Sequence, residues 1–398
     1  DFQHWKTMMN STQPLFRATC IALLCLAGLI PNAFGGKKGE PVSLNATGEQ
    51  LLQKYTARLD QLKQEVLAEL PKIDPEKQAE FLAARAAVTK ANALEEPKSA
   101  IDAQKNKEIQ EAADARVLSA ARSILADLDA FLAGDQLDDQ LLELAILTHG
   151  TPRGLAEFAQ QGETEQALLD KLFADKQLMK EMLISGGANG GEYGEAMQVF
   201  AAIKDSSEKA RERGSIFWRL ALGMSLHQPW LEGKQKGGVY GIVFTDHSTP
   251  DGQVARYQHY EKAYLDGELD PAFKDMNTWE CRYITNDPYT NEELAWTRDM
   301  MRKYRPDHVT NPNYKWRHVR IVKSDVPYCS PDWRPEEGTT KVQQIVAGGG
   351  KCGPRAFYGR TASRAFGIPA RRSTQTGHAA LNKWTPDGWV VLFGAWWT

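Results

Sequence analysis

Apolar positions between Asn45 and Arg213 recur at helical spacing. In LLQKYTARLDQLKQEVLAEL, Leu52, Tyr55, Leu59, Leu62 and Val66 follow one another in steps of three and four, the signature of one helix face. Val117, Ala121, Ile124, Leu128 and Phe131 repeat the pattern and predict a second long helix. Pro75, the EEPKSA stretch and Asp135 fall where helices are expected to break. Such stripes predict core seams of a helical module over 47–213. No self-similarity at a period of about 20–50 residues marks a repeat array. The glycine-rich ISGGANGGEYGE, residues 184–195, lacks the lysine of a phosphate loop and follows no strand, so it reads as a connector.

From Val239 the texture changes. YGIVFT reads as a strand, RYQHYEKAYLDG as a helix and WECRYIT as another strand. NEELAWTRDMMRKYRPDHV predicts a helix stopped by Pro306, and HVRIVK a short alternating strand. A mixed α+β region over 214–340 follows from these elements. Beyond it, a helix is expected from about Cys352 through FYGRTASRAF, ended by Gly367 and Pro369. HAALNKW and WVVLFGAWW then form a hairpin around TPDG, with Pro386 and Asp387 as the central pair of the turn.

The 398 residues are enough for two or three domains. A hydrophobic content of 42%, a charged content of 25% and a formal net charge of −3 are those of an ordinary globular chain, and they argue against a nucleic-acid binder. MMNSTQPLFRATCIALLCLAGLIPNAFGG reads as a secretory signal: Arg17 supplies the positive start, Ala18–Ile30 the apolar run, and Ala33-Phe34-Gly35 the small cleavage-site residues. The run is shorter than the ~20 apolar residues of a membrane span. Residues 1–35 are therefore expected to be a leader, 36–46 a polar linker, and the protein exported, periplasmic or extracellular. The chain starts DFQHWKT without methionine and stops inside an apolar aromatic run, so it reads as a fragment that continues past Thr398.

Export changes the meaning of the cysteines. Cys20 and Cys25 leave with the leader, and Cys281, Cys329 and Cys352 remain. Either Cys281 pairs with Cys329 and Cys352 is left over, or all three are unpaired; an odd thiol in an oxidising compartment is a candidate reactive group. His149, His227, His247, His259, His308 and His318 show no metal-binding spacing, so no metal site is expected.

Near the end stands GGGKCGPRAFYG, residues 348–359. Gly348, Gly350 and Gly353 match the dinucleotide fingerprint GxGxxG, but KVQQIVA is no buried strand and 370–376 carry no carboxylate for a ribose. No cofactor is expected. A cysteine at a helix start is a different matter, because the positive end of the macrodipole favours thiolate. Pro354 suits an early helical position. Glycines before Cys352 leave room for a substrate backbone, and the Cys352 N–H is placed to serve as an oxyanion donor. A base follows in sequence: His378 opens the HAALNKW strand. Cysteine on a helix start and histidine on a strand is the arrangement of papain-like nucleophilic chemistry.

GKCGPRAFYGRTASRAFGIPARRSTQTGHAALNKWTPDGWV resembles the core of the transglutaminase-like superfamily. Its landmarks occur in order: Gly350-Lys351-Cys352-Gly353, Gly367–Arg371, Gly377-His378-Ala379 and Gly388-Trp389. The resemblance covers residues 341–398. It implies a papain-related α+β domain in which Cys352 attacks an amide carbonyl and His378 takes and returns the proton. It also implies a hydrolase more than a cross-linking enzyme, since bacterial-looking members resemble peptidases and amidases. The expected substrate is a protein or peptide, cell-wall peptide included.

The family's orienting aspartate falls four or five residues after Gly-Trp, where this chain has Phe393 and Gly394. Antiparallel pairing around Pro386-Asp387 sets His378 opposite Ala395, and no carboxylate occurs from Val390 to Trp397. Asp387 lies about 30 Å along the strand from His378, and Asn382 about 13 Å. The third member is therefore missing, replaced or beyond Thr398, and a backbone carbonyl is one group able to hold the imidazole. Gln343, Gln344 and Gln375 are candidate oxyanion side chains. Trp279, Trp316, Trp333, Trp384, Trp389, Trp396 and Trp397 crowd the second half and could build a cleft for peptide or sugar. The expected architecture is a helical module followed by a papain-like α+β domain cut short at its C-terminus. The alternative function is an inactive protein- or carbohydrate-binding module on the same fold.

Overall fold

The computed structural model describes residues 42–97, 99–227, 249–285, 289–328 and 339–394. The leader, YGIVFT, Cys329, His247, Trp333, Trp396 and Trp397 lie outside the described residues. Among those described, 54–148 form one compact unit, and 42–53 with 149–394 form another. The division falls inside a helix, so residues 149–213, grouped above with the helical module, belong to the second unit. Among the described residues, no helix is long and apolar enough to cross a membrane.

The first unit contains most of α1 (Ala46–Glu69), then α2 (Pro75–Asn92), α3 (Ala100–Ala133) and most of α4 (Asp138–Gly150). In α1 the expected stripe is the packed face: Tyr55, Leu62 and Val66 are buried. Pro75 opens α2 behind an Asp74 cap, and Ser99 caps α3. α2 and α3 form an antiparallel pair, tied by a bidentate Arg116–Glu80 bridge at 2.8 and 2.9 Å and by Lys77 Nζ on the Ser123 carbonyl at 3.2 Å. Among the described side chains of α3 the buried ones are Ala113 and Ala120, while Val117, Ile124 and Phe131 are half-buried. Small residues occupy the closest approach, and the larger predicted ones flank it.

The second unit begins with five helices: α5 (Pro152–Ala159), α6 (Glu163–Ala174), α7 (Lys176–Ile184), α8 (Tyr193–Ser206) and α9 (Ile216–His227). Then come α10 (Pro250–Leu265), α11 (Thr278–Thr285), α12 (Asn291–Tyr304) and the single turns α13 (Pro306–Val309) and α14 (Ile321–Ser324). The last helices are α15 (Lys341–Gly348) and α16 (Cys352–Ala365). The connector 184–195 links α7 to α8 as expected. Its carbonyls are gathered by the buried Arg282, which donates to Ser185 O at 2.6 Å and Gly187 O at 2.7 Å.

Two expected strands are not strands. WECRYIT is α11: Asn277 and Glu280 exchange side-chain bonds to each other's backbone N–H at 2.9 Å, a capping box that starts a helix where aromatic content had suggested a strand. HVRIVK begins at His318, held at φ 65°, and turns into α14. Val319, Ile321 and Val322 are all fully buried, so its alternation is only apparent. The described part of 214–340 is consequently helical, and among the described residues strands appear only from Ala370.

Those strands are β1 (Ala370–Gln375), β2 (His378–Thr385) and β3 (Gly388–Leu392), an antiparallel sheet in that order. Thr385 pairs with Gly388 and Leu381 with Leu392, the register expected from a two-residue turn at Pro386-Asp387. A core of Val319, Ala370, Leu381 and Leu392 joins the sheet to the segment before α14. The whole is a mostly helical chain ending in a small antiparallel sheet, a mixed α+β arrangement.

Candidate active site

Cys352 is the first residue of α16, and the position of that helix is fixed at both ends. At its C-terminus Gly367 takes φ 75°, its N–H donates to Arg364 O at 2.9 Å, and the Ile368 N–H donates to Ser363 O at 3.0 Å. That pair of bonds closes the helix as a Schellman motif. Two more donors reach the final carbonyls: the Tyr260 hydroxyl to Arg364 O at 3.0 Å and Arg298 Nη1 to Ala365 O at 2.9 Å. A guanidinium there also complements the negative end of the helix.

At the other end the glycines have a packing role. A Cβ on Gly349, which sits at φ 78°, would fall 2.2 Å from Pro327 O, and one on Gly350 would fall 2.5 Å from the Pro354 Cβ. The Gly350 N–H donates to that same Pro327 carbonyl at 3.0 Å. Their smallness seats the turn against Pro327 and Pro354, whereas the sequence reading gave it to substrate approach. Gly350→Ala is therefore expected to displace the start of α16 and cost about 1–3 kcal/mol, read as a lower thermal midpoint.

No side chain caps α16, since Lys351 occupies the cap position without a side-chain bond. The first N–H groups of the helix, that of Cys352 among them, thus lack an internal side-chain acceptor. Cys352 is half-buried and lines a cavity of about 370 Å³ together with His378. Trp316, Tyr328 and Phe393 supply its aromatic wall, Lys323 and Arg355 its charge.

His378 opens β2, and its Nε2 lies 2.6 Å from the Phe393 carbonyl oxygen. A carbonyl only accepts, so Nε2 carries the proton in this bond. Phe393 reaches this geometry with φ 56°, rare for a residue with a side chain. Its ring packs 6.2 Å from that of Trp316 and fills space beside Gly359. The place where the resemblance expects a carboxylate is thus taken by a backbone oxygen.

The other candidates go elsewhere. Gln343 completes a capping box with Thr340 at the start of α15, and Gln344 Nε2 donates to Thr339 O at 2.8 Å; neither lines the cavity. Gln375 ends β1 opposite His378 in the ladder but is not a cavity residue. Trp384 Nε1 donates to Glu280 at 2.7 Å, and Trp279 packs edge-on to Trp389 at 5.6 Å, away from Cys352. Cys281 is a fully buried free thiol, which burial pushes well above its ordinary range. His149 meets Tyr193 OH at 3.0 Å, His259 meets Arg298 at 3.1 Å, and His318 stacks on Phe366 at 4.3 Å.

Comparison with protein-family models, with curated proteins and with solved structures finds no match in any of the three. The site therefore stands on its own geometry. Three of its features have no sequence signature of their own: the Phe393 carbonyl, and the Lys323 and Arg355 side chains in the wall. Trp316 was legible only as one of many tryptophans.

Proposed function

We propose that this protein is a cysteine acyl-transfer enzyme of transglutaminase-like, papain-related type that hydrolyses amide bonds. The observation that carries the reading is the convergence of Cys352 and His378 on one cavity, with Nε2 of the imidazole bonded to the Phe393 carbonyl. In this reading Nδ1 of His378 takes the Cys352 proton and the sulfur attacks the amide carbonyl carbon. The tetrahedral oxyanion is received by the Cys352 N–H at the uncapped helix start. His378 then returns the proton to the leaving amine, which departs as the C–N bond breaks. A water, deprotonated by the same imidazole, releases the acid from the thioester.

The Phe393 carbonyl supports the tautomer and ring orientation that an aspartate supplies in a triad, without its charge. An imidazolium formed during the reaction is then less stabilised, so turnover is expected to be modest. The proposed substrate is a peptide or protein amide met after export.

Alkylation of Cys352 by iodoacetamide, read by mass spectrometry on its own peptide, tests the pair. Wild-type protein is expected to react at pH 7 roughly tenfold faster than His378→Ala, because the imidazole draws off the thiol proton. Equal rates would remove the reading and leave an inactive binding module on the same scaffold.

A further inference from the structure

A second cavity of about 360 Å³ adjoins the first, and the two share Trp316 and Lys323. It extends the groove past Trp316 toward Arg320 and Ser324. Among the described residues, the charged side chains lining the two cavities are the cations Arg320, Lys323 and Arg355, and no carboxylate lines either. The nearest acid in sequence, Asp325, is engaged by Arg305 and by Ser324 Oγ at 2.9 Å.

The three cations differ in how they are held. Arg355 is half-buried, donates to the Val326 carbonyl and lies 5.8 Å from the Tyr328 ring centre. Lys323 Nζ stands 5.4 Å above Trp316, and among the described residues neither it nor Arg320 forms an ion pair. Among the described residues, two exposed cations without an ion pair therefore line, with Trp316, one end of a groove whose other end is the Cys352–His378 pair.

We infer that this groove selects an amide substrate bearing a carboxylate close to the scissile bond, with Lys323 and Arg320 receiving the carboxylate and Trp316 the adjoining chain. The inference rests on the acyl-transfer reading of Cys352 and names the substrate class for that site: an acidic peptide. A lysine over an indole face, with an arginine lining the same cavity, attracts an anion while leaving an apolar surface for the residue that carries it.

Two reagents of nearly equal size separate the inference from the reading beneath it. Iodoacetate and iodoacetamide both lose iodide to the sulfur, and only the first carries a carboxylate. The iodoacetate-to-iodoacetamide rate ratio at Cys352 is expected to fall about threefold for each of Lys323→Gln and Arg320→Gln, the scale of one screened unit charge a few ångströms away. It is also expected to fall with added salt. A ratio indifferent to both substitutions overturns the carboxylate subsite, even where His378→Ala still slows iodoacetamide and the cysteine–histidine pair stands. Should Cys352 react with neither reagent, binding to the Cys352→Ala protein decides, using the capped peptides Ala-Glu-Ala and Ala-Gln-Ala. Preference for the glutamate peptide, lost in Lys323→Gln, sustains the subsite; equal binding ends it.

Discussion

Asp270→Ala is expected to destabilise the second unit by about 3–5 kcal/mol, the cost of removing one partner from a buried charge cluster. The carboxylate of Asp270 is almost wholly buried and organises the floor beneath the sheet. Oδ2 accepts from Arg317 Nη1 at 3.0 Å, and Oδ1 accepts from the Tyr314 hydroxyl at 3.2 Å and from the Ala272 N–H at 2.9 Å. The Asp270 N–H donates to Phe366 O at 2.9 Å, just past the end of α16. Lys383, fully buried on β2, feels the same carboxylate and donates to Tyr314 O at 2.6 Å.

Alanine would strand Arg317 and deprive Lys383 of its counter-charge. Asparagine keeps an acceptor for Tyr314 and the Ala272 N–H while removing the charge, so Asp270→Asn should lose about half as much. Urea unfolding followed by tryptophan fluorescence measures both. No tryptophan occurs between residues 54 and 148, so among the described tryptophans the signal belongs to the second unit. A loss below about 1 kcal/mol for alanine would mean that the cluster is solvated and does not organise the floor.

How far the chain was legible follows from what each signal encodes. The helix 352–365 was readable because its stop is local: a glycine at positive φ followed by Ile-Pro. The β2–β3 register was readable because a two-residue turn fixes every pair after it. α11 was misread because Trp279, Tyr283 and Ile284 give it the aromatic and β-branched composition of a strand, although the Asn277–Glu280 box was there to be seen. Lys383 shows the limit from the other side. Strand alternation puts it on the same face as Leu381, but a lysine reads as solvent-facing, and only tertiary structure reveals that this position is buried, with Tyr314 O as its acceptor. The Phe393 carbonyl could not be read at all, since every residue has one and only its φ aims it.

Lys383 leads to the second large effect. Burial pulls its amine from 10.5 down to about 7, opposed by Asp270 and assisted by Arg317. His318, 3.5 Å from Asp270, is likewise kept neutral by burial and by these two cations. Because the unfolded chain holds the lysine proton up to 10.5 and the folded chain releases it near 7, the unfolded state binds more protons between those values. Stability therefore rises with pH across that window, and the penalty is full and constant below about 7. Its size is on the order of 3–5 kcal/mol. Lys383→Met removes the titration while keeping much of the volume, at the loss of the bond to Tyr314 O. The variant is expected to gain on the wild type most at pH 7 and below, with the difference closing by pH 10. Parallel stability curves for the two proteins would show that Lys383 keeps its proton in the folded state, paired with Asp270. In that event the Asp270→Ala loss should be the larger of the two effects, because an obligate ammonium would be left buried without its counter-charge.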